Sequence, residues 1–156
     1  MPYEFSVTRR VEFSETDMAG IMHFSNFFRL MESAEHAFIR SLGFSVAPGG
    51  AGPEVGWPRV HAECHYHKPL RFEDLVEIRL LVAAKKSKAI TYQFRFRKLN
   101  VEPPEEVARG SVTVVCVIHR PGARMHARTI PRELAEKIAV APAELLASPH
   151  GEGPRR

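Results

Sequence analysis

Asp17, Gly20, His23 and the run Phe24-Ser25-Asn26-Phe27-Phe28 bring together the residue types best suited to chemistry in this chain. A lone carboxylate, Asp17, closes a strand-like run. Gly20 follows, and a strongly apolar helix begins a few residues on. A carboxylate serves as nucleophile or general base. A helix N-terminus offers unpaired N–H groups and the positive end of the helix dipole. Side by side, the two could attack a carbonyl carbon and stabilise the oxyanion that forms. Aspartate is also a common turn or cap residue, so Asp17 alone does not decide the reading.

Other polar groupings are weaker. His61, Glu63, His65 and His67 alternate along one strand face. A zinc enzyme needs three protein ligands converging on an open position, and a polar strand face is more simply a solvated or interfacial one, so no metal site is expected. Lys85, Lys86 and Lys88 crowd one hairpin, and Arg95 and Arg97 share one strand face. Glu32 is expected to face solvent or a subunit interface. Cys64 and Cys116 belong to no CxxC pair and read as two thiols within strands.

The elements that must position Asp17 follow from periodicity. Residues 4–13 alternate as a first strand, with Phe5, Val7, Arg9, Val11 and Phe13 on one face. Residues 25–42 read as the main helix. Phe27, Met31, Ala34, Phe38 and Leu42 form its apolar stripe, widened by Phe28 and Ile39, while Glu32, Glu35, His36 and Arg40 fall largely off it. Ser25 is placed to cap its start and Gly43 to end it. Residues 43–58, rich in Gly and Pro, read as a long loop. Four strand-like runs follow at 59–67, 75–84, 89–99 and 106–119. Turn-forming segments at 85–88 and 100–104 make antiparallel hairpins. Pro131 opens a short helix through Ala139. One apolar helix and one antiparallel sheet make a two-layer α+β domain, the sheet curling around the helix. A single domain over 1–147 is expected, with 148–156 a disordered tail.

Composition sets the outer bounds. The chain has 156 residues, 44% of them hydrophobic and 26% charged, with a formal net charge of +4. That favours anionic partners weakly. No aromatic–basic signature of a nucleic-acid reader is present. No apolar run is long enough to cross a bilayer, and residues 1–4 do not begin a secretory signal. A cytoplasmic protein with neither nucleic-acid nor membrane partners is expected.

Order and motif together resemble the hotdog-fold acyl-CoA thioesterases, in the branch that includes 4-hydroxybenzoyl-CoA thioesterase. The matching residues are Val11, Phe13, Thr16, Asp17, Ala19, Gly20, Ile21, His23, Phe24, Asn26, Phe27, Phe28, Arg29, Met31 and Glu32 at their present spacing. Pro69-Leu70-Arg71-Phe72 with Asp74, and Ile130-Pro131, add to it. The resemblance implies a sheet wrapped around the helix, homodimers often paired into homotetramers, and active sites at subunit interfaces. It implies Asp17 as catalytic carboxylate, the backbone N–H of Phe24 as the carbonyl-polarising donor, and a supporting role for His23. It also implies that Lys85, Lys86 and Lys88 contact the phosphates of a coenzyme A substrate. No cofactor or metal is implied. Two other readings fit the same residues: a hotdog enoyl-CoA hydratase or dehydratase using Asp17 and His23, and a non-catalytic module for acyl or nucleotide ligands. The loop at 43–58 matches nothing in the family and is expected to shape the acyl pocket.

Overall fold

The structure is a computed structural model that describes residues 1–47 and 54–149. Its main sheet has five antiparallel strands: β1 (Glu4–Arg10), β3 (Arg59–Tyr66), β4 (Leu75–Lys85), β5 (Ala89–Lys98) and β6 (Glu105–Val115), in the spatial order β1-β4-β5-β6-β3. The helix α1 (Asn26–Ser41) packs against one face of this sheet. A small second sheet joins β2 (Glu54–Gly56), β7 (Val117–His119) and β8 (His126–Ala127). Two one-turn helices, α2 (Arg132–Ala135) and α3 (Ala143–Leu146), complete the described chain.

The expected helix and its apolar stripe are present. Phe27, Met31, Ala34 and Phe38 are buried, together with Leu30 and Ile39. They meet Ile78, Leu80, Tyr92, Phe94 and Phe96, which alternate toward the helix along β4 and β5. Phe27 stands edge-on to Phe96 with ring centroids 5.1 Å apart. Gly110 on β6 lets the helix approach closely, because a Cβ there would overlap the buried Met31 side chain, 2.7 Å from its Cε.

Several local expectations are corrected. β1 stops at Arg10. Phe13 leaves the strand for a single 3-10 turn (Phe13–Glu15), where it is 76% exposed. Ser25 makes no capping bond, its Oγ being 2.7 Å from His23 Nδ1 instead. The long apolar run at 106–119 is two strands, broken at Cys116. There the chain leaves the main sheet: the Cys116 N–H donates to Lys88 O, and its carbonyl accepts from Arg128 N. Residues 43–58 are not all loop, since β2 pairs with β7, and residues 48–53 lie outside the described residues. The helix opened by Pro131 ends at Ala135, and Ala139 N turns away to bond Pro2 O. The short α3 and β8 were not expected.

Ser148 and Pro149, placed by the sequence in a free tail, are held on the sheet. Their carbonyls accept from Arg109 at 2.7 and 3.0 Å, and Ser148 Oγ accepts from Arg95 at 3.3 Å. Residues 150–156 of that expected tail lie outside the described residues.

Glu35 is the main correction to the helix. The periodicity put it off the apolar stripe, yet it is 2% exposed and accepts from Arg59 Nη2 across the helix–β3 junction. Burial pushes its carboxyl up from 4.5 to about 7. Arg59 pulls the other way and loses, and Glu32 adds to the rise. The folded chain therefore binds more protons at Glu35 than the unfolded chain across this window. Stability from this group is greatest below about pH 4.5 and falls as pH rises to about 7. Glu35→Gln should flatten that part of the stability–pH profile, measured by urea unfolding at pH 4.5 to 7.5. An unchanged slope would assign it to other groups.

Candidate active site

The loop 17–22 is fixed by backbone bonds before any side chain acts. Asp17 N donates to Ile21 O (2.9 Å) and Gly20 N to Asp17 O (3.0 Å), closing a turn on Gly20, whose φ of +77° suits glycine. The loop then bridges to residues 70–71: Met22 N donates to Leu70 O (2.7 Å), and Ile21 pairs with Arg71. Residues 70–74 are held in turn by buried Asp74. Its Oδ2 accepts from Arg71 N at 2.7 Å and lies 3.3 Å from Lys98 Nζ, while its Oδ1 accepts from Asn100 Nδ2 at 3.0 Å. Burial alone would raise the Asp74 carboxyl. The bonds from Asn100, the Arg71 N–H and Lys98 outweigh it and hold the group below its ordinary value.

Within this frame the Asp17 carboxylate is half-buried and oriented. Its Oδ1 accepts from Ala19 N (2.8 Å) and Ile21 N (3.4 Å). Among the described residues no hydrogen bond engages Oδ2. The approach to α1 is tethered through Glu15 O, which accepts from His23 N (2.9 Å) and Asn26 Nδ2 (2.8 Å). Phe24 lies between these tethers, ahead of the first helical residue. No acceptor among the described residues takes its N–H, and its carbonyl accepts from the Tyr66 hydroxyl at 2.9 Å.

Asp17 and Phe24 line one pocket of about 690 Å³. Ile21, Met22, Phe27, Pro69 and Leu70 give it an apolar wall, while Tyr66, His67, Lys68 and Arg71 add polar groups. His23 does not line it. Its Nδ1 is 2.7 Å from Ser25 Oγ, and its ring lies against that of Phe24, centroids 4.6 Å apart. The segment 66–71 was not singled out from the sequence as pocket wall. Its one signal was the Pro69-Leu70-Arg71-Phe72 motif beside Asp74.

The structure does not bring the three hairpin lysines to this pocket. Lys85 Nζ donates to Ala135 O and Ile138 O at 2.8 and 2.5 Å, closing the end of α2. Lys86 and Lys88 are exposed at the far end of the β4–β5 hairpin. The eleven residues of β4 separate that end from the 70–74 turn, about 35 Å at the usual strand rise. Arg95 and Arg97 are also occupied: Arg95 holds Leu145 O and Gln93, and Arg97 pairs with Glu77 at 3.2 Å. His61 approaches Glu63 at 3.5 Å, and the described residues gather no group of three or more His, Cys, Asp or Glu around a common point. No described residue of 43–58 lines the pocket.

A sheet wrapped around one long helix, with a carboxylate and a free amide lining a pocket at the helix start, defines a hotdog-fold protein of the thioesterase type. The chain belongs to the thioesterase-like superfamily, whose family model matches residues 11–147. A 1,4-dihydroxy-2-naphthoyl-CoA hydrolase of Synechococcus sp. (strain CC9605) is 37% identical over 79 residues, covering 47% of this chain and 53% of that one. A protein of Aquifex aeolicus (strain VF5) is 44% identical over 77 residues, covering 49% of this chain and 59% of that one. The match thus spans little more than half the length of these curated relatives. Among solved structures, a gentisyl-coenzyme A thioesterase superposes with a TM-score of 0.69 at 27% identity, over 83% of this chain and 98% of that one. The 4-hydroxybenzoyl-CoA thioesterase of Pseudomonas sp. strain CBS-3 shares the fold, with a TM-score of 0.75 at 19% identity over 86% and 99% of the two chains.

Proposed function

We propose that this protein is an acyl-CoA thioesterase that hydrolyses a thioester to a free acid and coenzyme A. The observation that carries the reading is the pairing of Asp17 with the untaken Phe24 N–H in one pocket. Asp17, through the oxygen left open, attacks the thioester carbon or takes a proton from the water that does. The carbonyl oxygen, as it becomes an oxyanion, is met by the Phe24 N–H. Removing one such donor elsewhere costs about 2.7–4 kcal/mol of transition-state stabilisation. The carbon–sulfur bond then breaks with its electron pair leaving on sulfur, and a thiolate needs no strong acid to depart. Where water was the nucleophile this yields the free acid. Where Asp17 was, water then hydrolyses the acyl–Asp17 anhydride, releasing the acid and restoring the carboxylate. His23 supports the site indirectly, its ring against Phe24 and its Nδ1 beside Ser25. Neither metal nor cofactor takes part in this scheme.

The relatives' aromatic thioesters make aromatic acyl-CoA esters the first substrates to try, and the aromatic rings of Phe24, Phe27 and Tyr66 in the pocket wall support that choice. The test is a thiol-release assay over aromatic, short-chain and medium-chain acyl-CoAs. Turnover of at least one class is expected. Tight binding with no release across the panel would leave a binding module instead.

We also propose that the protein works in the cytoplasm as a homodimer or homotetramer. No helix among the described residues is long and apolar enough to cross a membrane. β3 is an eight-residue sheet edge carrying exposed Val60 (62%) and Tyr66 (45%), and an open edge of this kind favours pairing with another chain. Exposed Phe13, Met18 and Phe72 lie next in sequence to, or near, the loops that hold Asp17. In such an assembly Lys86 and Lys88 of one copy would serve a pocket of another. Lys86→Glu should then raise KM severalfold for CoA thioesters and leave thioesters of pantetheine, which lack the nucleotide, unchanged. Equal effects on both would remove this lysine from substrate binding.

A further inference from the structure

We propose that Tyr66 is a positioning residue for the reaction, its hydroxyl holding Phe24 so that the Phe24 N–H stays aimed at the substrate carbonyl. The inference rests on the thioesterase reading above.

Phe24 needs an external hold. It precedes α1, so helical hydrogen bonding does not fix it. Its side chain is 62% exposed, so packing does not fix it either. Its ring touches that of His23, which is itself exposed. Orientation is left to backbone tethers on either side. Before Phe24, His23 N is bound to Glu15 O, and His23 O, in the same peptide unit as the Phe24 N–H, accepts from Asn26 N at 2.9 Å. After it, the Phe24 carbonyl is bound by Tyr66 across a gap of forty-two residues in sequence. Of the hydrogen bonds to residue 24 itself, this is the only one among the described residues.

Tyr66 is built to keep that bond. It pairs with Ala108 at the end of β3, which puts its side chain on the helix side of the sheet with the buried Ala108. There its ring stands edge-on to Phe27, centroids 5.0 Å apart and planes at 84°. Phe27 in turn is locked against Phe96 in the core. The ring is therefore fixed by core aromatics while the hydroxyl reaches the carbonyl of residue 24. Burial first, and the Cys64 thiol second, push the phenol up to about 12, so the hydroxyl keeps its proton and remains a donor at any working pH. A rotation of residue 24 would misalign the N–H, and a misplaced donor stabilises an oxyanion poorly.

Tyr66→Phe removes the hydroxyl and keeps the ring. The expected result, with the fastest acyl-CoA from the panel, is a fall of about tenfold in kcat with KM within about twofold of wild type. A second readout does not depend on turnover. In the Asp17→Asn protein, the infrared carbonyl stretch of the bound, unhydrolysed thioester should lie below its solution frequency. Adding Tyr66→Phe should move it back toward that frequency. A kcat within about twofold of wild type with an unmoved carbonyl band would overturn the proposal, as would a rise in KM alone, which would mean that the hydroxyl touches substrate. Asp17→Asn separates the two levels. If it still releases thiol at the wild-type rate, the catalytic reading fails. If it is inactive while Tyr66→Phe behaves as wild type, only the role of Tyr66 fails.

Discussion

Asp17→Asn is expected to cut thiol release by about a thousandfold or more, equivalent to roughly 4 kcal/mol in the barrier. The substitution is nearly isosteric, and the asparagine Oδ1 can still accept from Ala19 N as the carboxylate does at 2.8 Å. The turn on Gly20 and the Ile21–Arg71 bridge should therefore survive. What disappears is negative charge and nucleophilicity at the open oxygen. The measurement is a chromogenic thiol assay on wild type and variant side by side, with circular dichroism melts to verify folding. Loss of activity with an unchanged melt supports Asp17 at the reacting carbon. A folded variant with near wild-type turnover would remove Asp17 from the mechanism.

Phe38→Ala should produce the largest loss of stability among single helix substitutions, about 3–5 kcal/mol. Phe38 is fully buried where three elements meet. Its ring is 6.0 Å from that of Phe5 on β1 and 6.3 Å, edge-on, from that of Tyr92 on β5. Truncation loses the transfer energy of the ring and leaves a cavity that the sheet on one side and the helix backbone on the other cannot readily close. For a domain of this size the melting midpoint should drop by roughly 10 °C. Both proteins must be compared at one protomer concentration, since assembly shifts apparent stability by mass action. A near-neutral melt would mean that this face of α1 is not the centre of the core.

The legible part of the fold was the part governed by period. The stripe Phe27–Met31–Ala34–Phe38 and the alternation of Ile90, Tyr92, Phe94 and Phe96 each predict a buried face, and each is buried. Glu35 was misplaced because helical spacing ranks positions by polarity. A carboxylate buried by an arginine from a distant strand leaves no local trace. The break at Cys116 was hidden for a related reason: a continuous apolar run does not record where one sheet hands over to another. At the site, Asp17 stood out because a motif surrounds it. Tyr66 did not, because a tyrosine on an apolar strand face looks like packing until the carbonyl it reaches is known. The lysines carry a different lesson, for a charged turn says nothing about distance along a strand: within one chain they lie far from Asp17, and only a second copy could bring Lys86 and Lys88 to a pocket.

The two oxygens of Asp17 are not equivalent. Two main-chain amides hold one of them, so the group cannot spin freely about its last bond and present either atom at random. The rotational freedom that a flexible aspartate would surrender on reaching the transition state has already been given up when the chain folds. Entropy spent during folding is thus no longer charged to each turnover.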